Sequence, residues 1–222
     1  TDMRTGSALE IYRSGVGRCG EEAVFVVNVM RSAGIPARPV YVPRWSHCDD
    51  NHAWVEVWCD GDWHYLGACE PEAVLDKGWF TAAASRAMII HSRMFSDYVE
   101  NEEIVTHEGL TTVCNELSRY ADTQTFSVTV TENGQPLSGV TLRIELLNYS
   151  EFFPISTLVT DENGKASITL GLGDLHIHAL KDGRFITRLV DTRKEPSVQI
   201  DFTNASACQT TELDGAEYDV VP

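Results

Sequence analysis

Between Cys19 and Ala33 the chain is apolar at positions 23–27, 29 and 30. That pattern leaves little polar face, so it predicts a helix buried on most sides. Gly34 is placed to cap the helix, and Pro36 prevents its continuation. Residues 38–43 read as an extended segment. From His52 to Cys59 the period drops to two, with His52, Trp54, Glu56 and Trp58 on one face and Ala53, Val55 and Val57 on the other. Asp60-Gly61 signals a tight turn, and Trp63 to Leu66 reads as the return strand of a hairpin. Residues 79–95 fit either a helix or a buried irregular segment.

The second half changes texture. Phe126/Val128/Val130, Val140/Leu142/Ile144/Leu146, Ala166/Ile168/Leu170, Leu175/Ile177/Ala179 and Val198/Ile200/Phe202 all repeat at period two. Turn signals separate them at Asn133-Gly134, Ser138-Gly139, Asp161-Glu-Asn-Gly164 and Asp182-Gly183. Short strands at this spacing predict a small antiparallel β-sandwich. The division expected is 1–122, 123–204, and an acidic tail or the start of a further region over 205–222.

Composition narrows the partners. The chain carries 17 Lys+Arg against 33 Asp+Glu, a formal net charge of −16. Such a surface repels phosphate backbones and anionic headgroups, which argues against nucleic acid or a membrane surface as partner. No apolar run approaches the roughly 20 residues needed to span a bilayer, so no membrane insertion is expected. No leader pattern opens the chain, and it begins at Thr1, as a processed or trimmed protein does. The six cysteines are irregularly spaced, unlike a disulfide scaffold.

One cysteine stands in a reactive context. Cys19 follows Gly17-Arg18 and opens the apolar helix, where the helix dipole and free backbone N–H groups favour a thiolate. The same N–H groups can hold the oxyanion formed when that thiolate attacks a carbonyl. His52 enters its strand after a polar run and is the candidate base. A third member should fix the imidazole, and Glu70, just past the hairpin, is the candidate, with Asp49 and Asp50 as local competitors. Trp45 and Trp54, with Trp58, are candidates for an aromatic platform under a substrate, and Arg44 for a substrate carboxylate. Cys48-x-x-x-His52 supplies zinc-ligand types without the paired spacing of a zinc site, so no metal or other cofactor is expected.

Three blocks then carry a resemblance: Gly17-Arg-Cys-Gly-Glu-Glu-Ala23, Met30-Arg-Ser-Ala-Gly-Ile-Pro-Ala-Arg38 and Asp50-Asn-His-Ala-Trp-Val-Glu-Val57, with His52 lying 33 residues after Cys19. Their order resembles the core of the transglutaminase-like superfamily. The Gly-Arg-Cys-Gly-Glu start and the finish Trp63-His-Tyr-Leu-Gly-Ala-Cys-Glu70 resemble its peptide:N-glycanase branch, and Gly-Ala-Cys-Glu-Pro resembles transglutaminase-like proteins of gut Bacteroidetes. This resemblance implies a papain-like core with Cys19 as nucleophile and His52 as base. It also calls for an aspartate where this chain has Gly67, which leaves either Glu70 as the substitute or a Cys–His dyad without a third member.

In the second half, Gly134-Gln-Pro-Leu-Ser-Gly-Val140, Thr160-Asp-Glu-Asn-Gly164 and Gly173-Asp-Leu-His-Ile-His-Ala179 resemble the carboxypeptidase-regulatory-like, or transthyretin-like, β-sandwich. Such modules serve as spacers or adhesion platforms in surface and periplasmic proteins, which implies an extracytoplasmic location. His176 and His178 share a strand face and read as polar sheet residues.

The reading is therefore an α+β protein: a papain-like transglutaminase core, helix packed on antiparallel sheet, followed by an antiparallel β-sandwich. The expected function is a thiol-dependent amide hydrolase or acyltransferase working through a thioester on peptide, protein or glycopeptide substrates. The alternative is a catalytically silent binding or scaffold module of a cell-surface protein.

Overall fold

The computed structural model describes residues 6–68, 70–96 and 102–208. Two helices open it. In α1 (Ala8–Ser14) Ser7 is the N-cap, and the Glu10 carboxylate accepts from the Ser7 backbone N–H at 2.8 Å. α2 (Cys19–Ser32) opens on Arg18, whose backbone N–H donates to the Glu21 carboxylate at 3.0 Å. It closes as the pattern predicts. Gly34 adopts φ +80°, Gly34 N–H reaches the Arg31 carbonyl at 3.1 Å, and Ile35 N–H reaches that of Met30 at 3.0 Å.

The burial of α2 is a correction to the sequence reading. Only Glu21, Ala23 and Val27 are buried, and Val29 is 47% exposed. The helix lies against one face of a sheet and against α1, so a single narrow stripe meets Ala37, Val55 and Val57.

That sheet has six antiparallel strands: β1 (Ala37–Val42), β2 (His52–Cys59), β3 (Asp62–Leu66), β4 (His91–Met94), β5 (Glu103–Glu108) and β6 (Thr111–Asn115), ordered β3-β2-β1-β4-β6-β5. The hairpin turn sits at Asp60-Gly61, both at positive φ. Ala53, Val55 and Val57 pack with α2, while Trp54 on the opposite face joins Val40, Val42, Trp45, Phe80, Ile90 and Leu117 in a second cluster. On that face Arg38, 2% exposed, pairs with Glu56 and Glu102 at 2.6 Å each and with Glu116 at 2.7 Å. The ambiguous stretch 79–95 resolves into one turn of helix, α3 (Thr81–Ala84), a buried irregular run Ala87–Ile90, and then β4.

The remaining strands form two further sheets. One contains β7 (Thr123–Glu132), β8 (Gln135–Pro136), β11 (Lys165–Gly171) and β14 (Ser197–Asp201). The other is ordered β10-β9-β12-β13-β15, from β9 (Thr141–Asn148), β10 (Glu151–Val159), β12 (Asp174–Lys181), β13 (Arg184–Asp191) and β15 (Ser206–Ala207). Inward residues of both share one apolar core, with Phe126, Val128 and Ile200 from one sheet and Leu142, Ile144 and Ile177 from the other.

One expectation needs correction. The pairing is not antiparallel throughout: β14 runs parallel to β7, with Val198 beside Val128 and Ile200 beside Val130, because the chain crosses between sheets after β13. At the start of 205–222, expected as an acidic tail or the start of a further region, β15 pairs with β13 and Cys208 N–H donates to the Gly183 carbonyl at 2.7 Å. Residues 209–222 of that expected tail lie outside the described residues.

Met88 and Ile89, which precede β4, belong to the second-half core rather than to the first. Gly171 N–H donates to the Met88 carbonyl at 3.0 Å, so the two halves are joined through backbone as well as side chains.

Candidate active site

The chemistry converges where α2 starts and β2 starts. Cys19, the first residue of α2, is half-buried, and His52, the first residue of β2, is 8% exposed. Both line one cavity of about 630 Å³, together with Gly20, Tyr41, Asp50 and Trp79. Sequence separation of the two is bridged by sheet pairing: β1 follows α2 through the Gly34 cap, and Val42 at its end pairs with His52. This brings the helix start and the strand start to the same rim.

The His52 ring is enclosed by aromatics, with centroids of Trp79 at 4.6 Å, Phe80 at 5.0 Å and Trp54 at 5.8 Å. Among the described residues its Nε2 is buried without a hydrogen-bond partner. Burial holds the imidazole pKa below its ordinary value, opposed by the negative charges of Glu70 and Asp50. The resting ring is therefore neutral at neutral pH, the form able to accept a proton.

Glu70 is near this ring but bonded elsewhere. Its Oε1 accepts from Trp79 Nε1 at 3.1 Å, so the indole carries the connection between carboxylate and imidazole. Gly67 explains the arrangement. A Cβ there would sit 2.9 Å from the Glu70 backbone oxygen and 3.0 Å from Glu70 Oε1. The space an aspartate side chain would need at position 67 is filled by Glu70.

The expected substrate contacts do not line this cavity, because packing claims them. Trp54 is fully buried and donates through Nε1 to the Tyr120 hydroxyl at 2.9 Å. Trp45 is 3% exposed within the same core cluster. Arg44 lies over the Phe153 ring at 3.9 Å and donates to the Pro43 carbonyl at 2.9 Å, which ties it to the second half.

Three residues that the sequence reading did not single out do line the cavity: Tyr41, Trp79 and Arg93. Tyr41 could have been found from its extended segment, since period two sets it opposite Val40 and Val42. Arg93 gives no local signal, because only the β1–β4 pairing of Tyr41 with His91 brings its strand to the cavity.

The zinc-type residues do not assemble. Among the described residues no group of three or more His, Cys, Asp or Glu side chains is arranged to hold a metal ion. His176 Nδ1 donates to the Glu145 carboxylate at 2.7 Å and its ring stacks on Phe152 at 4.2 Å, which accounts for its place on the sheet face. The five described cysteines are free thiols, and Cys69 lies outside the described residues.

This is the local architecture of a cysteine–histidine cleft at a helix start. Residues 1–68 match the family model of the transglutaminase-like superfamily, which includes cysteine peptidases and acyltransferases. The matched stretch contains both Cys19 and His52 and stops short of Glu70. No curated protein matches the chain. Among the described residues no helix is long and apolar enough to cross a membrane.

Proposed function

We propose that the protein is a thiol-dependent amide hydrolase or acyltransferase, with Cys19 as nucleophile and His52 as its base. The observation that carries this reading is that both side chains open onto one cavity, the thiol from a helix N-terminus and the imidazole in neutral form. In the proposed cycle His52 takes the thiol proton and the sulfur attacks an amide carbonyl. The leaving amine departs with the proton from His52, and water or a second amine resolves the thioester. Hydrolysis of a peptide or glycopeptide is preferred, since the motif resemblance is to the peptide:N-glycanase branch. Glu70 takes the third role indirectly: its charge favours the imidazolium through space, while Trp79 and the other aromatics fix the ring.

The reading extends to a papain-like arrangement of the first half, a transthyretin-like sandwich in the second, and an extracytoplasmic location. A silent binding or scaffold module is the second reading, favoured by the unpartnered His52 Nε2 and by the engagement of Glu70 with Trp79.

Iodoacetamide labelling separates the two. The enzyme reading expects Cys19 to alkylate faster than the other thiols, with a rate that falls at acid pH as His52 protonates. In His52→Ala the rate should drop at least about 100-fold, the low end of a general-base contribution. If Cys19 labels no faster than Cys48 or Cys208, the silent module is the better description.

A further inference from the structure

Tyr41 is half-buried and lines the Cys19–His52 cavity from β1. Two nitrogen groups converge on its hydroxyl oxygen. Arg93 Nε donates to it at 3.0 Å, and His91 Nδ1 lies 3.2 Å away. The tyrosine ring also contacts both groups, with the His91 ring edge-on at 5.2 Å and the Arg93 guanidinium 5.0 Å from its centroid.

The protonation of His91 decides what the hydroxyl does. His91 is 6% exposed, and burial together with Arg93 pushes its pKa down to about 4, so the ring is neutral near pH 7. Among the described residues its Nε2 is buried without a partner. A neutral imidazole carries one N–H, and an orphaned buried N–H is costlier than an unused acceptor. The proton therefore belongs on Nδ1, where it donates to Tyr41. The phenolic oxygen then accepts two N–H bonds, which fills both lone pairs and leaves its own O–H to donate elsewhere. Burial raises the Tyr41 pKa, so the proton stays in place.

The geometry points to Tyr41 as the hydrogen-bond donor that this cavity offers to the carbonyl oxygen of an acyl substrate, with Arg93 and His91 as its positioning residues. This rests on the proposed cysteine chemistry and adds the group that meets the oxyanion. In the step it assists, the Cys19 sulfur forms a bond to the carbonyl carbon as the C=O π pair moves to oxygen. Tyr41 holds that oxyanion without surrendering its proton. The pair then returns as the C–N bond breaks, the amine leaves with the proton carried by His52, and a thioester remains on Cys19. A donor fixed in advance by two others loses little on reorganisation, which is what makes such contacts effective.

The test compares two reactions of the same thiol in the full chain. Iodoacetamide alkylation displaces iodide at a saturated carbon and forms no oxyanion, whereas acylation by p-nitrophenyl acetate does. For Tyr41→Phe, which keeps the ring beside His91 and Arg93, alkylation of Cys19 should stay within about twofold of the parent. Acylation should fall by between about 10- and 100-fold, approaching the loss seen when one oxyanion donor is removed. Unchanged acylation would overturn the assignment, and so would a parallel fall in both reactions, which reports disturbed packing around the thiol. Failure of the underlying reading looks different: the parent itself would then release p-nitrophenol no faster than Cys19→Ala.

Discussion

Gly67 and His91 show how single positions in this protein are set by what surrounds them. At Gly67 the carboxylate and backbone of Glu70 occupy the volume that a larger side chain would claim. The Glu70 carboxylate accepts instead from the Trp79 indole. His91 has a consequence for acid stability. Its pKa when folded is pushed down to about 4, below the ordinary imidazole value of 6.5. As pH falls the unfolded chain takes up that proton first, so the stability present above pH 6.5 is lost progressively toward pH 4. A shift of this size corresponds to about 3 kcal/mol. Urea unfolding at pH 7 and pH 5 should show His91→Gln losing less stability on acidification than the parent. His52, also depressed, acts in the same direction, so some slope survives in the variant.

At the scale of elements, the six-stranded sheet carries different chemistry on its two faces. Under α2 the sheet presents Ala37, Val55 and Val57, while the opposite face holds Arg38 among Glu56, Glu102 and Glu116. Arg38 comes from β1, Glu56 from β2, and Glu102 and Glu116 flank β5 and β6, so one guanidinium links most of the sheet. Glu116 is held above its ordinary pKa by burial, even with Arg38 beside it. Removing the cation leaves buried carboxylates uncompensated, so Arg38→Met should lower unfolding stability at pH 7 by about 3–5 kcal/mol. The deficit should shrink as pH falls and Glu116 protonates. A variant as stable as the parent at pH 7 would show that the sheet does not depend on this cluster.

Across the whole molecule the two halves are stitched together near the site's supports. Asn148 Nδ2 donates to the carbonyls of Trp45 at 3.0 Å and Cys48 at 2.8 Å, in the loop that leads to His52. Met88 and Ile89 sit in the core of the second half. All five tryptophans fall between residues 45 and 79, so their fluorescence reports the first half, whereas far-UV circular dichroism reports every strand. Because Met88 and Ile89 anchor the first half in the core of the second, thermal unfolding followed by both probes should trace one coincident transition. A fluorescence midpoint several degrees from the dichroism midpoint would mean that the halves melt independently.

Local pattern made much of this legible. The α2 start at Cys19, its Gly34 termination, the hairpin at Asp60-Gly61 and the period-two strands all depend on residues close in sequence, where backbone preference and side-chain alternation act. Cys19 and His52 were legible for the same reason, as a helix start and a strand start joined by ordered motifs. What the chain alone left undecided needs contacts between distant segments. Trp54 and Trp45 look like a platform until the second cluster buries them. Arg44 looks free until Phe153 arrives from the other half. Tyr41 acquires a directed hydroxyl only when β4 brings His91 and Arg93 beside it. Burial and tautomer are properties of packing, and packing forms only when the sheets close.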